Sequence, residues 1–318
     1  MNRIVTFPLW LDKIIYEKYG AIYEPRPEQV MFNANKNFDF AKLYLGTYFP
    51  RSYAEAYYIF GKLLENKNIY HHFDDVEEMN VLDFCCGTGG EILGLVTILH
   101  EKLPKLKRIR IDAFDANSDY ISFLFHLNQE LRSNINIDVY VNPQCLFIEN
   151  EQNLNDIVDY TNNLYHIIMS CKALNEFIQH KVFPHDNIYR KIAETFFPCL
   201  TNDGVLLLSD LSHKNSELNV FYPEILNSGI NSLLRSNKNY KSLYPYSCFF
   251  HEHICPGCYM QDIIYVTHSR KQIDVSKIVY RIIGKAEFVT KIMSGISSSQ
   301  KCKAKNPQAD KSLPYQSN

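Results

Sequence analysis

The sequence lacks the marks of several large protein classes. Its 33 lysines and arginines face 35 aspartates and glutamates, so no basic excess points to nucleic acid. No apolar run approaches the roughly 20 residues that a membrane-spanning helix needs. Residues 1–13 lack the long apolar core and the small-residue cleavage site of a secretory signal. We therefore expect a cytoplasmic protein without membrane partners. The overall charge is still compatible with a basic patch on one face.

Cysteine usage points away from a disulfide framework. The nine cysteines are an odd number, and Cys85 and Cys86 are adjacent. This pattern suits the reduced thiols of a cytoplasmic protein better than paired half-cystines. No internal repeat is visible, and 318 residues with 46% hydrophobic content suffice for a large α/β domain with an appendage, or for two small domains.

Strand-like and helix-like segments alternate from Asn80 onward. The five strand-like segments are short and apolar, and amphipathic helical patterns separate them: Val81–Phe84, Arg108–Phe114, Ile135–Val141, Tyr165–Ser170 and Val205–Ser209. Strands joined through helices form right-handed crossovers and hence a parallel sheet. Two later segments, Tyr246–Ile254 and Met260–His268, are predicted as strands joined by a short turn, which makes them antiparallel. The prediction is an α/β fold, a Rossmann-like, mostly parallel sheet of seven strands ending in an antiparallel hairpin.

Three regions follow from composition and periodicity. Residues 1–73 are predicted as an N-terminal helical cap or lid, with its clearest helix from Ser52 to Asn66. The preceding Tyr48-Phe49-Pro50-Arg51 is either a surface lead-in or a lid that closes over a ligand, with Arg51 as a contact. Residues 74–293 form the α/β domain, and the polar, Ser/Lys-rich residues 294–318 are predicted to be disordered.

The stretch Val81–Leu93 joins a buried strand, a glycine-rich turn and a helix start. Glycines allow backbone to approach a ligand, and the helix N-terminus offers free N–H groups. The pattern places Asp83 at the end of the strand and reads D-x-C-x-G-x-G-G, unlike the G-x-G-x-x-G of nicotinamide dehydrogenases. A dehydrogenase is therefore disfavoured.

This stretch resembles motif I, D/E-x-G-x-G-x-G, of the class I S-adenosylmethionine-dependent methyltransferases. The sequence departs from it at Cys85, which stands where the first glycine is usual. The resemblance covers roughly residues 80–270 and implies S-adenosyl-L-methionine as cofactor. It implies that Gly87 and Gly89 make room for the methionine part and that Asp83 orients its amino group.

A carboxylate after the second strand supports the same ligand. Asp115 ends that strand and can accept hydrogen bonds from both hydroxyls of a ribose. By the resemblance, Ala116 and Asn117 flank the adenine, and Asn142 or Gln144 faces its amino group. The ordinary alternative for Asp115 is a residue at a turn or helix entry.

The ends of the fourth and fifth strands carry the remaining candidates. In the family, residues at the position of Ser170 and Cys171 touch the methionine or the substrate. Lys172, Glu176 and Asp210 are candidate general bases, although Lys172 and Glu176 also suit a solvated helix start and Asp210 has the same ambiguity. The chain lacks the N/D-P-P-Y/F signature of base- and glutamine-directed amino-methyltransferases.

A late cysteine cluster permits a metal site. The turn Cys255-Pro256-Gly257-Cys258 has the form of a metal knuckle, and two of Cys248, His251 and His253 could complete a zinc or iron–sulfur site. A hairpin turn with reduced cysteines and a reactive thiol pair are the alternatives.

The cysteines, together with Pro50, Arg51, Tyr53 and Ala54 before motif I, also resemble the mitochondrial small-ribosomal-subunit methyltransferase-like family, in which late cysteines bind an iron–sulfur cluster. The resulting hypothesis is a methyltransferase that acts directly on a small molecule or RNA. The alternative is a non-catalytic protein of this fold in ribosome or RNA assembly. The sequence identifies neither the acceptor nor the oligomeric state.

Overall fold

The computed structural model describes residues 3–26, 38–160, 163–215, 218–251 and 257–298, and the structural statements below concern these residues. Among the described residues before β2 there are one strand, three α-helices and a π-helix. They are β1 (Ile4–Thr6), α1 (Leu9–Lys13), the π-helix Ile14–Lys18, α2 (Phe38–Leu64) and α3 (Lys67–Phe73).

Strands and helices then alternate, as the hydrophobic pattern predicts. The elements are β2 (Glu78–Phe84), α4 (Gly90–Lys102), β3 (Arg108–Asp115), α5 (Ser118–Asn134), β4 (Asp138–Cys145), α6 (Glu151–Tyr160), β5 (Tyr165–Cys171), α7 (Leu174–Gln179), α8 (Ile188–Phe196) and β6 (Leu200–Leu211). A short 3₁₀ turn, Phe197–Cys199, links α8 to β6. The C-terminal elements are β7 (Lys214–Asn215), β8 (Val220–Phe221), α9 (Tyr222–Ser236), β9 (Tyr240–Tyr244), α10 (Tyr246–His251), β10 (Asp262–His268), β11 (Lys271–Lys285) and α11 (Ala286–Met293).

The main sheet has the strand order β1-β10-β11-β6-β5-β2-β3-β4, and β9 pairs with β11 beside this path. The pairs β3–β4, β5–β6 and β1–β10 are parallel, whereas β11 is antiparallel to β6 and to β9. The predicted Rossmann-like α/β fold with N-terminal helices and an antiparallel hairpin is thus confirmed. The sheet is larger than predicted, because β1 and β9 extend it. No helix in the described ranges is both long and apolar enough to cross a membrane.

The chain divides into two compact units, each described by itself. The first contains residues 1–79, 83–147 and 263–276, and the second contains residues 80–82, 148–262 and 277–318. The core of the first is formed by apolar residues of α2, α4, β3 and β4. The core of the second is formed by β5, β6, β11 and the helices α8 and α9. The predicted boundaries of a cap, a methyltransferase domain and a tail stay predictions, and residues 299–318 of the tail lie outside the described residues.

Helix α2 begins before Pro50 and continues through it, so the predicted start at Ser52 is wrong. Proline lacks an N–H group and leaves the carbonyl four residues earlier without its helical donor. That carbonyl belongs to Gly46, and the Tyr16 hydroxyl donates to it at 2.7 Å. A tertiary hydrogen bond therefore replaces the missing helical one, and Tyr48 to Arg51 lie within a helix rather than a loop.

The C-terminal hairpin is also not the predicted one. Tyr246–His251 is helical, and the hairpin joins β10 to β11 through Ser269 and Arg270. An aromatic run such as Tyr246–His251 is compatible with either a strand or a helix, so its periodicity could not decide. The predicted strand or helix over residues 275–293 is both, since β11 is followed by α11.

Candidate cofactor site at the glycine loop

The loop after β2 has the left-handed backbone that its glycines permit. Cys85, Gly87 and Gly89 have φ angles of 59°, 52° and 84°. Its turn is closed by hydrogen bonds from Cys86 N to the Phe114 carbonyl and from Gly89 N to the Cys86 carbonyl, both 2.9 Å. Cys85 therefore adopts a left-handed conformation that favours glycine, at a cost of about 1–2 kcal/mol for a residue with a Cβ.

Gly90 is required by close packing against backbone, and Gly89 is favoured by its positive φ angle. A Cβ at Gly89 would lie 2.5 Å from Leu124 Cδ1, and one at Gly90 would lie 2.6 Å from the Phe49 carbonyl oxygen. Gly89 precedes α4, and no side chain caps this helix start. The first-turn N–H groups thus have the arrangement that binds polar ligands at helix N-termini.

Asp115 is held against the loop. Its Oδ2 accepts from Gly87 N at 2.8 Å, and its Oδ1 accepts from Asn117 N at 2.9 Å. A carboxylate has about four lone-pair positions, so Asp115 retains acceptor capacity for a ligand hydroxyl. Burial raises the pKa of Asp115, while these backbone hydrogen bonds lower it. The geometry fits a ribose diol, and Asn117 is the N-cap of α5.

Asp83 is a buried carboxyl group that lacks a hydrogen-bond donor among the described residues. It is fully buried at the end of β2, and no described residue forms a hydrogen bond with either of its oxygens. Burial, with Glu91 and Asp115 nearby, raises the pKa of Asp83 well above its ordinary value. An unpaired buried carboxylate is unstable, so a ligand amino group would relieve both the missing hydrogen bonds and the charge.

Glu91 completes an acidic cluster with Asp83 and Asp115, a role that was not predicted from the sequence. It is buried in the first turn of α4 and acts electrostatically on Asp83. The same environment raises the pKa of the buried Cys86 thiol, through burial first and then through Asp115 and Asp83. The sequence signal was available, because Glu91 directly follows the glycines. The cluster favours a ligand with a positively charged group.

Asn142 and Gln144 form a hydrogen-bonded chain on β4. Asn142 Nδ2 donates to Asp112 Oδ1, and Gln144 Nε2 donates to Asn142 Oδ1, both at 2.9 Å. Asn142 pairs with Asp112 in the strand register, whereas Cys145 pairs with Asp115. Cys145 Sγ lies 3.5 Å from the Ala116 carbonyl oxygen. The predicted roles of Asn142 and Ala116 at an adenine stay predictions.

Arg51 lies in α2 and is engaged in a buried ion pair. Its Nε donates to Asp274 Oδ2 at 2.8 Å, and its Nη2 donates to Asp274 Oδ1 at 2.7 Å. Burial would raise the pKa of Asp274, but the bound guanidinium helps to hold it well below its usual range. The contact with a cofactor predicted for Arg51 stays a prediction.

The candidates of the second unit lie at the ends of β5 and β6. Ser170 and Ser209 are buried, and no described residue forms a hydrogen bond with either hydroxyl. Cys171 is buried beside Ser209 in the strand register. Lys172 has a φ of 58°, and its N–H donates to the Ser209 carbonyl at 2.8 Å. Their proposed contacts with methionine or substrate, like a role for Glu176 in the first turn of α7, stay predictions.

Asp210 holds neighbouring elements together. Its carboxylate accepts from Asn175 N at 2.9 Å, the Tyr189 hydroxyl at 2.8 Å and Leu211 N at 2.7 Å. Burial raises the pKa of Asp210 to about 7, although these hydrogen bonds lower it. A pKa near neutrality suits a general base, whereas the three hydrogen bonds that the carboxylate already accepts suit a structural role.

The late cysteine cluster is only partly described. Cys248 lies on α10 and Cys258 follows Gly257, both half-buried, while His253 and Cys255 lie outside the described residues. The described ranges contain no group of three or more His, Cys, Asp or Glu side chains placed to hold a metal ion. The predicted zinc or iron–sulfur site stays a prediction.

No protein-family model and no curated protein matches the sequence. Solved structures with similar folds include methyltransferases. The plantazolicin methyltransferase BpumL in complex with SAH shares 14% identity over 87% of this chain and 96% of its own, with a TM-score of 0.41. Magnesium protoporphyrin IX methyltransferase from Synechocystis PCC 6803 with bound SAH shares 10% identity over 85% of this chain and 96% of its own, with a TM-score of 0.42. Precorrin-6y C5,15-methyltransferase from Geobacter metallireducens shares 12% identity over 69% of this chain and 86% of its own, with a TM-score of 0.32. Similarity at this level carries no argument about function, which must come from the site residues.

Proposed function

We propose that the first unit binds S-adenosyl-L-methionine and that the protein is a methyltransferase. The buried carboxyl group of Asp83, which no described residue pairs, is the observation that carries the proposal. A nicotinamide or adenine nucleotide without an amino-acid moiety has no ammonium group for this position, whereas the proposed cofactor has one.

Different residues in and beside the glycine loop would bind different parts of the cofactor. Asp115 would accept the ribose hydroxyls, Asp83 would accept from the amino group, and Gly87 and Gly89 would leave room for the ligand. When bound, the cofactor supplies a sulfonium methyl group that a nucleophile can take directly. The chain contributes mainly orientation and a site from which water is excluded.

The acceptor must lose a proton during the reaction, and the candidate bases differ in their surroundings. Asp210 has a suitable pKa but already accepts hydrogen bonds from Asn175, Tyr189 and Leu211. Lys172 and Glu176 therefore stay candidates beside it. The acceptor class, small molecule or RNA, the cytoplasmic location and the resemblance to the mitochondrial ribosomal family belong to this proposal as hypotheses.

Calorimetric titration with S-adenosylmethionine and its demethylated product tests binding, with NADH and ATP as controls. We expect binding of the first two ligands and no measurable binding of the controls. Asp115→Ala should weaken binding by about 1–3 kcal/mol, since it leaves buried hydroxyl groups unpaired. Asp138→Ala is the matched control, because Asp138 is an exposed carboxylate that begins β4. No heat and no Tm shift with either ligand would refute the proposal.

Transfer is tested separately from binding. Incubation with the methyl-labelled donor and fractions of small molecules or RNA should place the label in one fraction. Binding with no label transfer to any fraction would favour the alternative, a non-catalytic protein of this fold.

A further inference from the structure

His213 lies just beyond the carboxyl end of β6, in the second unit. It follows the last residue of β6 by two positions and directly precedes β7, which pairs antiparallel with β8. At the base of this pair, Tyr222 N donates a hydrogen bond to the His213 carbonyl at 3.1 Å. In open α/β sheets, ligands bind outside the carboxyl ends of the strands. Backbone pairing therefore holds His213 in the part of the second unit where a ligand is expected.

The imidazole ring of His213 packs against a fixed aromatic residue. Its centroid lies 5.2 Å from that of the Tyr222 ring at an interplanar angle of 77°, an edge-to-face arrangement. Tyr222 is fully buried, and its hydroxyl accepts from Gln179 Nε2 at 2.9 Å and from Asn215 Nδ2 at 3.1 Å. Because these contacts immobilise Tyr222, the imidazole that packs on it is preorganised.

The ring nitrogens of His213 are available to a ligand. The side chain is half-buried, and no described residue forms a hydrogen bond with either nitrogen. Burial lowers the pKa of the imidazole, so the neutral form predominates at neutral pH, and Tyr222 is the titratable group in contact with the ring. A neutral imidazole has one acceptor nitrogen, which is what a general base needs.

The other candidate bases are less suited to accept a proton. The Asp210 carboxylate already accepts three hydrogen bonds, and Glu176 is exposed to water. The ammonium group of a lysine such as Lys172 has no acceptor position. We propose that His213 is the catalytic general base that takes the proton of the methyl acceptor, an inference that rests on the proposed function.

This assignment limits the chemistry of the acceptor. In the transfer, a lone pair of the acceptor atom forms a bond to the methyl carbon, and the carbon–sulfur bond breaks with its electron pair left on sulfur. The proton of the acceptor moves to the unprotonated ring nitrogen of His213, which later returns it to water. A hydroxyl or N–H group needs this step, whereas a thioether or a tertiary amine has no proton to lose. The acceptor is accordingly a compound that reacts through an O–H or N–H group.

Nuclear magnetic resonance titration of the ligand-free protein tests the state of His213 without an acceptor. The variant His213→Gln identifies the His213 signals by their absence. We expect the pKa of His213 to lie below the ordinary value of about 6.5. His166→Gln is the matched control, because His166 is also half-buried with a pKa lowered by burial, yet its Nδ1 already accepts from Asn80 N at 3.1 Å. A His213 pKa at or above the ordinary value would overturn the assignment.

Turnover supplies the second test, with the methyl-labelled donor and the fraction that takes up the label. The single-turnover rate should rise with pH and level off above the pKa of His213, because only the deprotonated base accepts a proton. His213→Gln should lower this rate roughly 100- to 10,000-fold and remove the rise, with unchanged calorimetric affinity for S-adenosylmethionine. Added imidazole should restore part of the rate to His213→Gly, and His166→Gln should keep the wild-type rate and pH profile.

The outcomes separate the inference from the proposed function. The wild-type rate in His213→Gln, or a retained rise with pH, would overturn the role of His213 while the methyltransferase activity stands. An equal loss of rate in His166→Gln would also overturn it, since the loss would then follow from damage to the fold. Failure of the wild-type protein to bind the donor, or binding without transfer of label, would refute the proposed function and with it the assignment of its base.

Discussion

Substitution of Asp83 by Asn tests the feature on which the proposed function depends. Asn has nearly the same shape as Asp but cannot carry a negative charge. The Asp83 carboxyl is fully buried and has no hydrogen-bond partner among the described residues. Asp83→Asn should therefore raise the stability of the ligand-free protein, because no charge has to be buried. It should lower the affinity for the ligand, because the charge that pairs with the amino group is gone.

The sign of the pH dependence follows from the raised pKa. An unfolded aspartate titrates near its ordinary pKa of about 3.9, whereas burial keeps the proton on Asp83 to well above that value. Because the pKa of Asp83 is higher in the folded than in the unfolded protein, protonated Asp83 contributes stability. This contribution is fully present below the pKa of the unfolded state and is lost as pH rises toward the pKa of the folded state. The loss is about 1.4 kcal/mol for each pH unit in that window, which for a chain of this size is roughly 2–3 °C in Tm.

Thermal unfolding of the ligand-free proteins at pH 5, 6 and 7 measures this effect. The wild-type Tm should fall relative to that of Asp83→Asn by roughly 2–3 °C for each pH unit until the folded pKa is reached. The difference between the two proteins reports the titration of Asp83 together with its electrostatic coupling to Glu91 and Asp115. Parallel pH profiles would show that the Asp83 carboxyl is already paired or hydrated, and would refute the reasoning.

The same variant should bind the cofactor less tightly. The charged interaction with the amino group is lost, which corresponds to about 1.5–3 kcal/mol in calorimetric affinity at pH 7. Stabilisation of the free protein together with weaker binding is a pattern that general damage to the fold does not produce. Unchanged affinity would place the amino group elsewhere.

Two further predictions concern buried charges away from the loop. Asp274→Asn should destabilise the protein by about 3–5 kcal/mol in urea unfolding, because it leaves the buried guanidinium of Arg51 without its anionic partner; a loss below about 1 kcal/mol would contradict this. Arg281→Met should cost about 3 kcal/mol or more by the same measurement, with Arg235→Met on the exposed side of α9 as control. The fully buried Arg281 guanidinium donates to three side-chain oxygens that would lose their donor, those of Asn227, Asn231 and Ser242. Equal stability of the two variants would refute the structural role of Arg281.

Local patterns in the sequence were sufficient for the α/β architecture and for the glycine loop. The period of the apolar residues depends only on near neighbours, so it predicts β2, α4 and β3 without knowledge of the rest of the chain. Glycines at positive φ and a carboxylate at a strand end are local features as well. The sequence thus predicted the loop over Val81–Leu93 and an aspartate at the end of β3, whereas the hydrogen bond of 2.8 Å from Gly87 N to Asp115 is visible only in the structure.

Tertiary structure decided the features that depend on distant residues. Helix α2 passes through Pro50 because Tyr16, 30 residues before Gly46, supplies the missing donor. Arg51 forms its ion pair with Asp274, which lies 223 positions away in the sequence. No local pattern encodes such partners.

The lack of a partner for Asp83 is a property of the same kind. The sequence placed an acid at the end of β2, but only the packed chain shows that this acid is buried and that no described group pairs with it. Burial raises its pKa because the surroundings, assembled from several elements, exclude water. The sequence by itself therefore determined where the candidate site lies, and the tertiary structure decided which charge that site lacks.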